Sequence, residues 1–566
     1  MIELVPPWLI LIVGALALPL VSSRWRSVLV LALPLATLWL VWQIPDGTNL
    51  TAPFLGYELE IVKADKLARL FATVFCLMAL AGGMFALRQA KPLELSAAFF
   101  YAGSAIGVLF AGDMITLFVF WELMALGSTL VIWSADSERA RKAGFRYILM
   151  HLLGGVLLML GIIDYIAVTD TVSFGPAPIH ELLGTSRPGT WLILAGFLVN
   201  AGAAPLSAWL PDAYPEASPS GMVVLSAFTT KTAVFVLLRG YPGFDILIWI
   251  GLVMVFYGII YALLENDMRR ILAYSIINQV GFMVTGIGIG TEMALNGTSS
   301  HAFTHIIYKA LLLMSAGSVL YMTGKRKCTD LGGLYRSMPI TTVCGIIGAL
   351  AISSFPLTSG FISKSMVSQG AIDQNLAVVW FLLAAASAGV FLHAGIKFPW
   401  FVFFQKDSGL RPSDPPWNMR IAMIFMAFLC IFIGVWPTLL YELLPFPVAY
   451  KPYTGVHVLE MTQLLLFSGL AFFVLLPLMK RTLTISLEVD WFWRRLGSAL
   501  ARRFALHGGK AQRQIVNQVQ TRLSQLRHIV FRFHGPKGLL ARTWETGTAT
   551  FTIITLLAVY LIAYYI

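Results

Sequence analysis

His301-Ala-Phe-Thr-His305-Ile-Ile-Tyr-Lys309, continuing through Ala310-Leu-Leu-Leu-Met-Ser-Ala316, sets three ionisable side chains four residues apart in an otherwise apolar run. On a helix, positions i, i+4 and i+8 share one face, so two imidazoles and an ammonium form a polar stripe about 12 Å long. Groups of this kind at membrane depth are costly, face a protein interior or a wet cavity, and by default mark an ion or proton path. The competing reading is a helix-end cluster snorkelling to the interface. It is the weaker one, because the apolar run extends well past Lys309.

Composition supports the membrane reading. Hydrophobic residues make up 58% of the 566 residues and charged residues 12%, against about 45–50% and 25% in soluble domains. The net charge of +12 does not point to nucleic acid, because the basic residues gather in short loops and one late segment, where topology explains them. Cys76, Cys344 and Cys430 sit in apolar runs and Cys328 in a basic loop, without metal-ligand spacing. No metal and no cofactor is expected. The start, Met1-Ile-Glu-Leu-Val-Pro-Pro7, lacks a basic n-region and is read as a retained first helix.

Sixteen apolar runs of spanning length begin near Val5, Ser27, Lys66, Leu95, Met114, Gly144, Thr190, Pro219, Asp245, Arg270, Ser299, Pro339, Ala377, Met419, Glu460 and Gly547. Basic residues alternate along the loops. Arg24 and Arg26, Arg88 and Lys91, Arg139 to Lys142, Arg269 and Arg270, Lys325 to Lys327, Lys406 and Arg411, and Lys480 and Arg481 fall on one side, expected to be cytoplasmic. Asp46, Glu58, Glu60, Asp170, Glu181 and Glu292 fall on the other, and both termini are expected there too. Prolines break two spans: the seventh at Asn200-Ala-Gly-Ala-Ala-Pro205 and the twelfth at Ser353-Ser-Phe-Pro356. Backbone freed at that depth must be buried in protein or line a cavity, and matching breaks in two halves point to an inverted-repeat transporter.

Charged residues stand near these breaks: Glu122 in the fifth span, Lys231 in the eighth, the His301/His305/Lys309 stripe in the eleventh, Lys364 in the twelfth, and His393 and Lys397 in the thirteenth. Each alone could be a structural ion pair. Together they suit a proton relay, since desolvated lysine shifts its pKa readily and histidine titrates near neutrality.

Five ordered motifs carry a resemblance to a known family. They are Phe120-Trp-Glu122, Trp209-Leu-Pro-Asp-Ala213, Arg269-Arg-Ile-Leu-Ala-Tyr-Ser275 with Gln279-Val-Gly281, His301-x3-His305-x3-Lys309, and Ser359-Gly-Phe-x2-Lys364. The chain resembles the antiporter-like membrane subunits of respiratory complex I, membrane-bound hydrogenases and Mrp-type cation/proton antiporters. Ser226-Ala-Phe-Thr-Thr-Lys231 with Arg239-Gly looks most like the D-type branch of the Mrp antiporter subunits.

The resemblance implies an all-α polytopic membrane protein with a 14-helix core, two inverted five-helix repeats and broken helices. The expected organisation is N-terminal helices over 1–94, a first repeat over 95–240, a second over 241–404 and C-terminal core helices over 405–480. Glu122 matches a glutamate facing a neighbouring subunit, Lys231 the eighth-helix lysine, His301, His305 and Lys309 the central stripe, and Lys364 an exit-side lysine. Arg269, His393, Lys397 and Asn200 are accessory candidates. Asn200 departs most sharply, standing where the family usually has a lysine. Without that cation Glu122 must take another partner, such as Lys231, or stand as a lone buried carboxylate; the first half is then expected not to be a complete proton channel, and the working route to run from Lys231 to Lys364. Ser365 stands where many relatives have Asp.

The segment 481–546 mixes Arg494, Arg495, Arg502, Arg503, Arg513, Arg522 and Arg527 with Leu496, Leu500, Phe504, Ile515, Val519, Leu523 and Ile529. This reads as a basic amphipathic helix in the interface plane, followed by a terminal anchor over 547–566. The resemblance implies a proton-translocating subunit of a multi-subunit complex in the bacterial inner membrane, exchanging protons for Na⁺, with other membrane subunits and the lipid bilayer as partners. Two alternatives stay open: a pumping subunit of a redox-driven NADH dehydrogenase or hydrogenase complex, and an energy-coupling subunit for inorganic carbon uptake. No redox site is visible in the chain, so it would not catalyse redox chemistry itself.

Overall fold

A computed structural model describes residues 5–477, 491, 493–535 and 544–565. Among these, fourteen helices are long and apolar enough to cross a membrane, and Pro7–Ala17 and Pro339–Ile352 are shorter apolar helices. Each of the sixteen expected runs falls on one of these elements. The chain divides into a large unit through Ser486 and a small one from Leu487.

The large unit opens with α1 (Pro7–Ala17), α2 (Ser23–Gln43), α3 (Lys66–Ala86), α4 (Pro92–Phe110), α5 (Met114–Trp133) and α6 (Glu138–Thr169). After a short surface helix, α7 (Pro176–Leu183), the seventh span is α8 (Gly189–Ala201) and α9 (Trp209–Ala213), parted by the Pro205 segment. The eighth is α10 (Pro219–Leu225) and α11 (Thr229–Gly240), so a third break, at residues 226–228, joins the two read from the prolines. Then come α12 (Ile246–Leu264), α13 (Met268–Ile289) and α14 (Glu292–Thr323). The twelfth span is split into α15 (Pro339–Ile352) and α16 (Ser359–Asp373). It is followed by α17 (Ala377–Val390) with π-helical stretches at Phe391–Lys397 and Trp400–Phe404, by α18 (Trp417–Val435), a turn α19 (Thr438–Tyr441), and α20 (Gly455–Val474).

A β-hairpin, β1 (Asn49–Phe54) and β2 (Tyr57–Lys63), sits in the loop between α2 and α3, where only an acidic connection was expected. Its turn residues Leu55 and Gly56 have φ of 47° and 86°, the left-handed pair that two-residue hairpins favour.

The inverted repeat is written into the hydrogen bonds. Asp113 caps α5 by accepting from Ile115 N and Thr116 N, Met114 N donates to Val172 O, and Phe174 N donates to Gly112 O. Asp267 caps α13 through Arg269 N and Arg270 N, Met268 N donates to Arg326 O, and Cys328 N donates to Asn266 O. Each residue of the second set stands 154 places after its counterpart, as does the 32-residue α14 after the 32-residue α6. One member of each pair begins where the other ends, because consecutive spans alternate in direction.

The centre of the unit is α14. All residues from Ala294 to Val319 are buried, so this helix has no lipid-facing side over most of its length. Gly297 lets α16 come close, since a Cβ there would lie 2.7 Å from Val367 N; small residues at such crossings are how membrane helices pack without a hydrophobic driving force.

The small unit contains a 37-residue helix, Ser498–His534, and a terminal helix, Thr546–Tyr565. The basic loop at Lys480 and Arg481 lies outside the described residues. The sided distribution of loop charges gives a direct check. A cysteine at the exposed position Lys325 should react with an impermeant reagent only from the cytoplasmic side, and one at the exposed Asp170 only from the opposite side. Reversed labelling contradicts the orientation.

Candidate functional site

The helix breaks decide where the charged side chains rest. An α-helix leaves its last carbonyls without intrahelical donors, and the ends created at mid-membrane supply acceptors for buried ammonium groups. Lys231 Nζ donates to Ser226 O (2.8 Å), in the break between α10 and α11, and to Thr230 Oγ1 (3.0 Å). Lys364 Nζ donates to Ile352 O (2.7 Å), the last residue of α15, and lies 5.2 Å from the centre of the Phe282 ring. Both lysines are buried. Each is anchored by one freed carbonyl.

Between them lies α14, unbroken and fully enclosed. Nζ of Lys309 and both ring nitrogens of His305 are buried and make no hydrogen bond among the described residues. His301 is held, with Nδ1 3.2 Å from Ser363 Oγ and Nε2 3.5 Å from Tyr308 OH. Ser363 also meets Thr304 Oγ1 (2.9 Å), and Tyr308 OH donates to Gln279 Oε1 (3.1 Å). The two imidazole centres are 6.2 Å apart. His305 is within electrostatic reach of Lys231, Lys309, His301 and Lys364, and Lys309 of Lys231. The structure therefore brings the expected residues of the eighth, eleventh and twelfth spans into one buried cluster. Sequence reasoning missed Ser363, Thr304, Tyr308 and Gln279, whose hydroxyl and amide groups tie the cluster to α13 and α16.

Beyond Lys364 a cavity of about 540 Å³ opens, lined among others by Lys364, Ser365, Gln369, Tyr450, His457 and Glu460. It lies along the second half of α16, towards the start of α20. Lys364 thus stands between the buried cluster and a space with its own polar lining.

The remaining candidates divide. Glu122 is half-buried, and its Oε1 has no partner among the described residues, Lys231 included. His393 Nδ1 meets its own helix at Gly389 O (2.8 Å). Lys397 Nζ is taken up by three carbonyls at the end of α12, Ala262 (3.0 Å), Leu263 (2.6 Å) and Glu265 (2.6 Å), which makes it a helix cap. Arg269 donates to Pro215 O (2.9 Å), Ala217 O (2.8 Å) and Ser218 O (2.8 Å), binding α13 of the second repeat to the loop behind the first broken helix. Neither Lys397 nor Arg269 is free to act as a carrier. Lys397→Met should lower the stability of the protein by about 2–3 kcal/mol, because it strips a charged donor from buried acceptors, while leaving transport per folded complex near the parental rate. A loss of transport without a loss of stability would reverse that assignment.

Residues 111–391 match the family model described as NADH:quinone oxidoreductase/Mrp antiporter, transmembrane. The chain is 28% identical over 408 residues to the D subunit of the Na(+)/H(+) antiporter of Alkalihalophilus pseudofirmus, covering 69% of this chain and 81% of that protein. It is 29% identical over 413 residues to the A/B subunit of the probable K(+)/H(+) antiporter of Rhizobium meliloti, covering 68% of this chain but only 41% of that protein. In structure it resembles a chain of the Mrp complex from Dietzia sp. DQ12-45-1b, with a TM-score of 0.76 at 21% identity, over 99% of this chain and 63% of that one. Residues 111–391 thus carry the transmembrane domain of the NADH:quinone oxidoreductase/Mrp antiporter family, and the chain's motifs, breaks and repeats are similar to those of antiporter-like membrane subunits.

Proposed function

We propose that this chain carries protons across the membrane as one subunit of a larger membrane complex, in a bacterial inner membrane, and that the complex exchanges them for Na⁺. The observation that carries the reading is the alternation of anchored and unanchored groups: Lys231 and Lys364 each rest on a carbonyl freed by a helix break, while Lys309 and His305 between them have no hydrogen-bond partner among the described residues. An ammonium with one fixed acceptor is held at a defined place, from which it can still release a proton. A neutral amine or imidazole without one can take a proton and pass it on. Like charges in this enclosed space repel strongly, so charging Lys231 disfavours charge on Lys309 and drives the proton onward to Lys364 and the cavity beside it.

Lys309→Ala should abolish proton transport in membrane vesicles containing the assembled complex, with assembly retained, because this side chain has no hydrogen-bond partner to lose among the described residues. Lys364→Arg should be severely impaired as well, since a guanidinium is effectively always charged and cannot release a proton. Parental transport by both variants would refute the relay.

The reading extends to the helix Ser498–His534. Val516, Val519, Leu523, Leu526, Val530 and Phe533, three and four residues apart, form an exposed apolar stripe along it, with arginines in between. At about 1.5 Å per residue the helix is about 55 Å long, enough to reach a neighbouring protein. It lies in the cytoplasmic interface and ties this chain to another member of the complex. Deleting everything after Arg481 should leave the core folded and weaken its co-purification with the other subunits; an intact, active complex would make the segment dispensable.

A further inference from the structure

His151, in the middle of α6, is buried at 1% exposure and lies outside the cluster around α14. Its Nδ1 lies 2.7 Å from Oδ1 of Asn200, the last polar side chain before the first broken helix parts. An amide oxygen only accepts, so Nδ1 carries the hydrogen and Nε2 presents its lone pair. Nε2 is buried and without a partner among the described residues, and so is Nδ2 of Asn200. The ring is clamped between Tyr147, 4.1 Å away centre to centre, and Trp209, at 4.7 Å. This is a fixed imidazole with one free basic nitrogen.

The fold around that nitrogen says what it can do. The repeat offset of 154 residues, visible in the caps and bridges of α5, α6, α13 and α14, places His151 at the position of His305, and Gly155 at that of Lys309. The first repeat thus has an imidazole where the second has one, and a gap where the second has an ammonium. Glu122 fills the gap: a Cβ at Gly155 would lie 2.1 Å from Glu122 Oε1. One helical turn, about 6 Å along the axis, separates Gly155 from His151. A carboxylate from α5 therefore packs against α6 one turn from the imidazole of His151, each with an unpartnered buried atom.

We propose that His151 is a proton carrier of the first repeat, the counterpart there of His305, with Asn200 as its positioning residue and Glu122 as its exchange partner. The inference rests on the pathway from Lys231 to Lys364 and extends it to the other half of the chain. In the step, the Glu122 carboxyl loses its proton and becomes a carboxylate, and the Nε2 lone pair gains that proton and makes an imidazolium. The imidazolium then returns to neutral imidazole by giving the proton towards Lys231.

The onward groups are hydroxyls. The phenols of Tyr147, Tyr214 and Tyr101 stand within electrostatic reach of one another. Tyr101 OH is 2.6 Å from Thr229 Oγ1, and Thr230 Oγ1 accepts from Lys231. The other charged groups around α6 are already engaged or distant. Asp212 of α9 pairs with Arg146 (2.7 Å), Glu216 with Arg326 (2.9 Å), and Asp164 with Arg187 (3.5 Å). Asn200 is the one polar side chain that α8 brings to this end, and α7, which carries His180 and Glu181, packs against α6, with Glu181 near Tyr165 in the last turns of α6.

The test measures proton transport against pH in vesicles containing the whole complex, with assembly followed by co-purification. His151→Gln keeps a polar group beside Asn200 but cannot carry a proton. It should lose transport about tenfold or more and move the midpoint of the pH profile by about half a unit or more. Asn200→Asp puts a carboxylate on the same ring nitrogen and should also displace the midpoint, which a packing role of His151 would not do. Parental rate and profile in either assembled variant overturns the inference. Lys309→Ala, run alongside, separates the two failures: if it is inactive while the His151 variant is unaffected, the central pathway stands and only the carrier role of His151 falls.

Discussion

An ammonium group inside a membrane protein needs an acceptor, and an uninterrupted helix has none to offer. Burying a charge without compensation costs several kcal/mol, so the placement of Lys231 and Lys364 is bound up with the breaks at 226–228 and 353–358. Each break ends one half-helix early and leaves a carbonyl at the depth where the lysine ends. Repairing either helix would remove the acceptor. The breaks also need shelter, because freed backbone cannot face lipid, and the enclosure of α14 and its neighbours provides it.

The same logic separates structural from mobile charge. Arg269 and Lys397 are as deeply buried as the proposed relay groups, yet each is held by three backbone carbonyls. They join the two repeats and finish a helix. Lys309 and His305 have no such ties among the described residues. In a site dense with polar groups, the useful distinction is how many acceptors each proton already has. By that measure the proposed path runs through α14, with His151 and Glu122 as its proposed extension into the first repeat.

Much of this was legible in the chain. The apolar runs gave the number of spans, the prolines at 205 and 356 gave two breaks, and the four-residue spacing of His301, His305 and Lys309 gave the stripe. The break in the eighth span was not legible, because Ser226-Ala-Phe-Thr-Thr carries neither proline nor glycine and opens only to meet Lys231. The hairpin at residues 49–63 was hidden by its acidic residues, although Leu55-Gly56 is a turn signal. His151 escaped because it stands alone in its span, and a lone imidazole among leucines reads as core. Comparing the two halves at an offset of 154 residues would have set it beside His305. The roles of Arg269 and Lys397 depend on carbonyls from distant segments, which no local pattern reveals.

The central claim is that the unpartnered group on α14 works by gaining and losing a proton. Proton flux through the assembled complex, compared for Lys309→His and Lys309→Met, tests it most directly. Both replacements are no larger than lysine and leave the neighbouring acceptors untouched, but only the imidazole can carry a proton. The account predicts measurable flux with histidine and none above background with methionine. Equal flux in the two would contradict it.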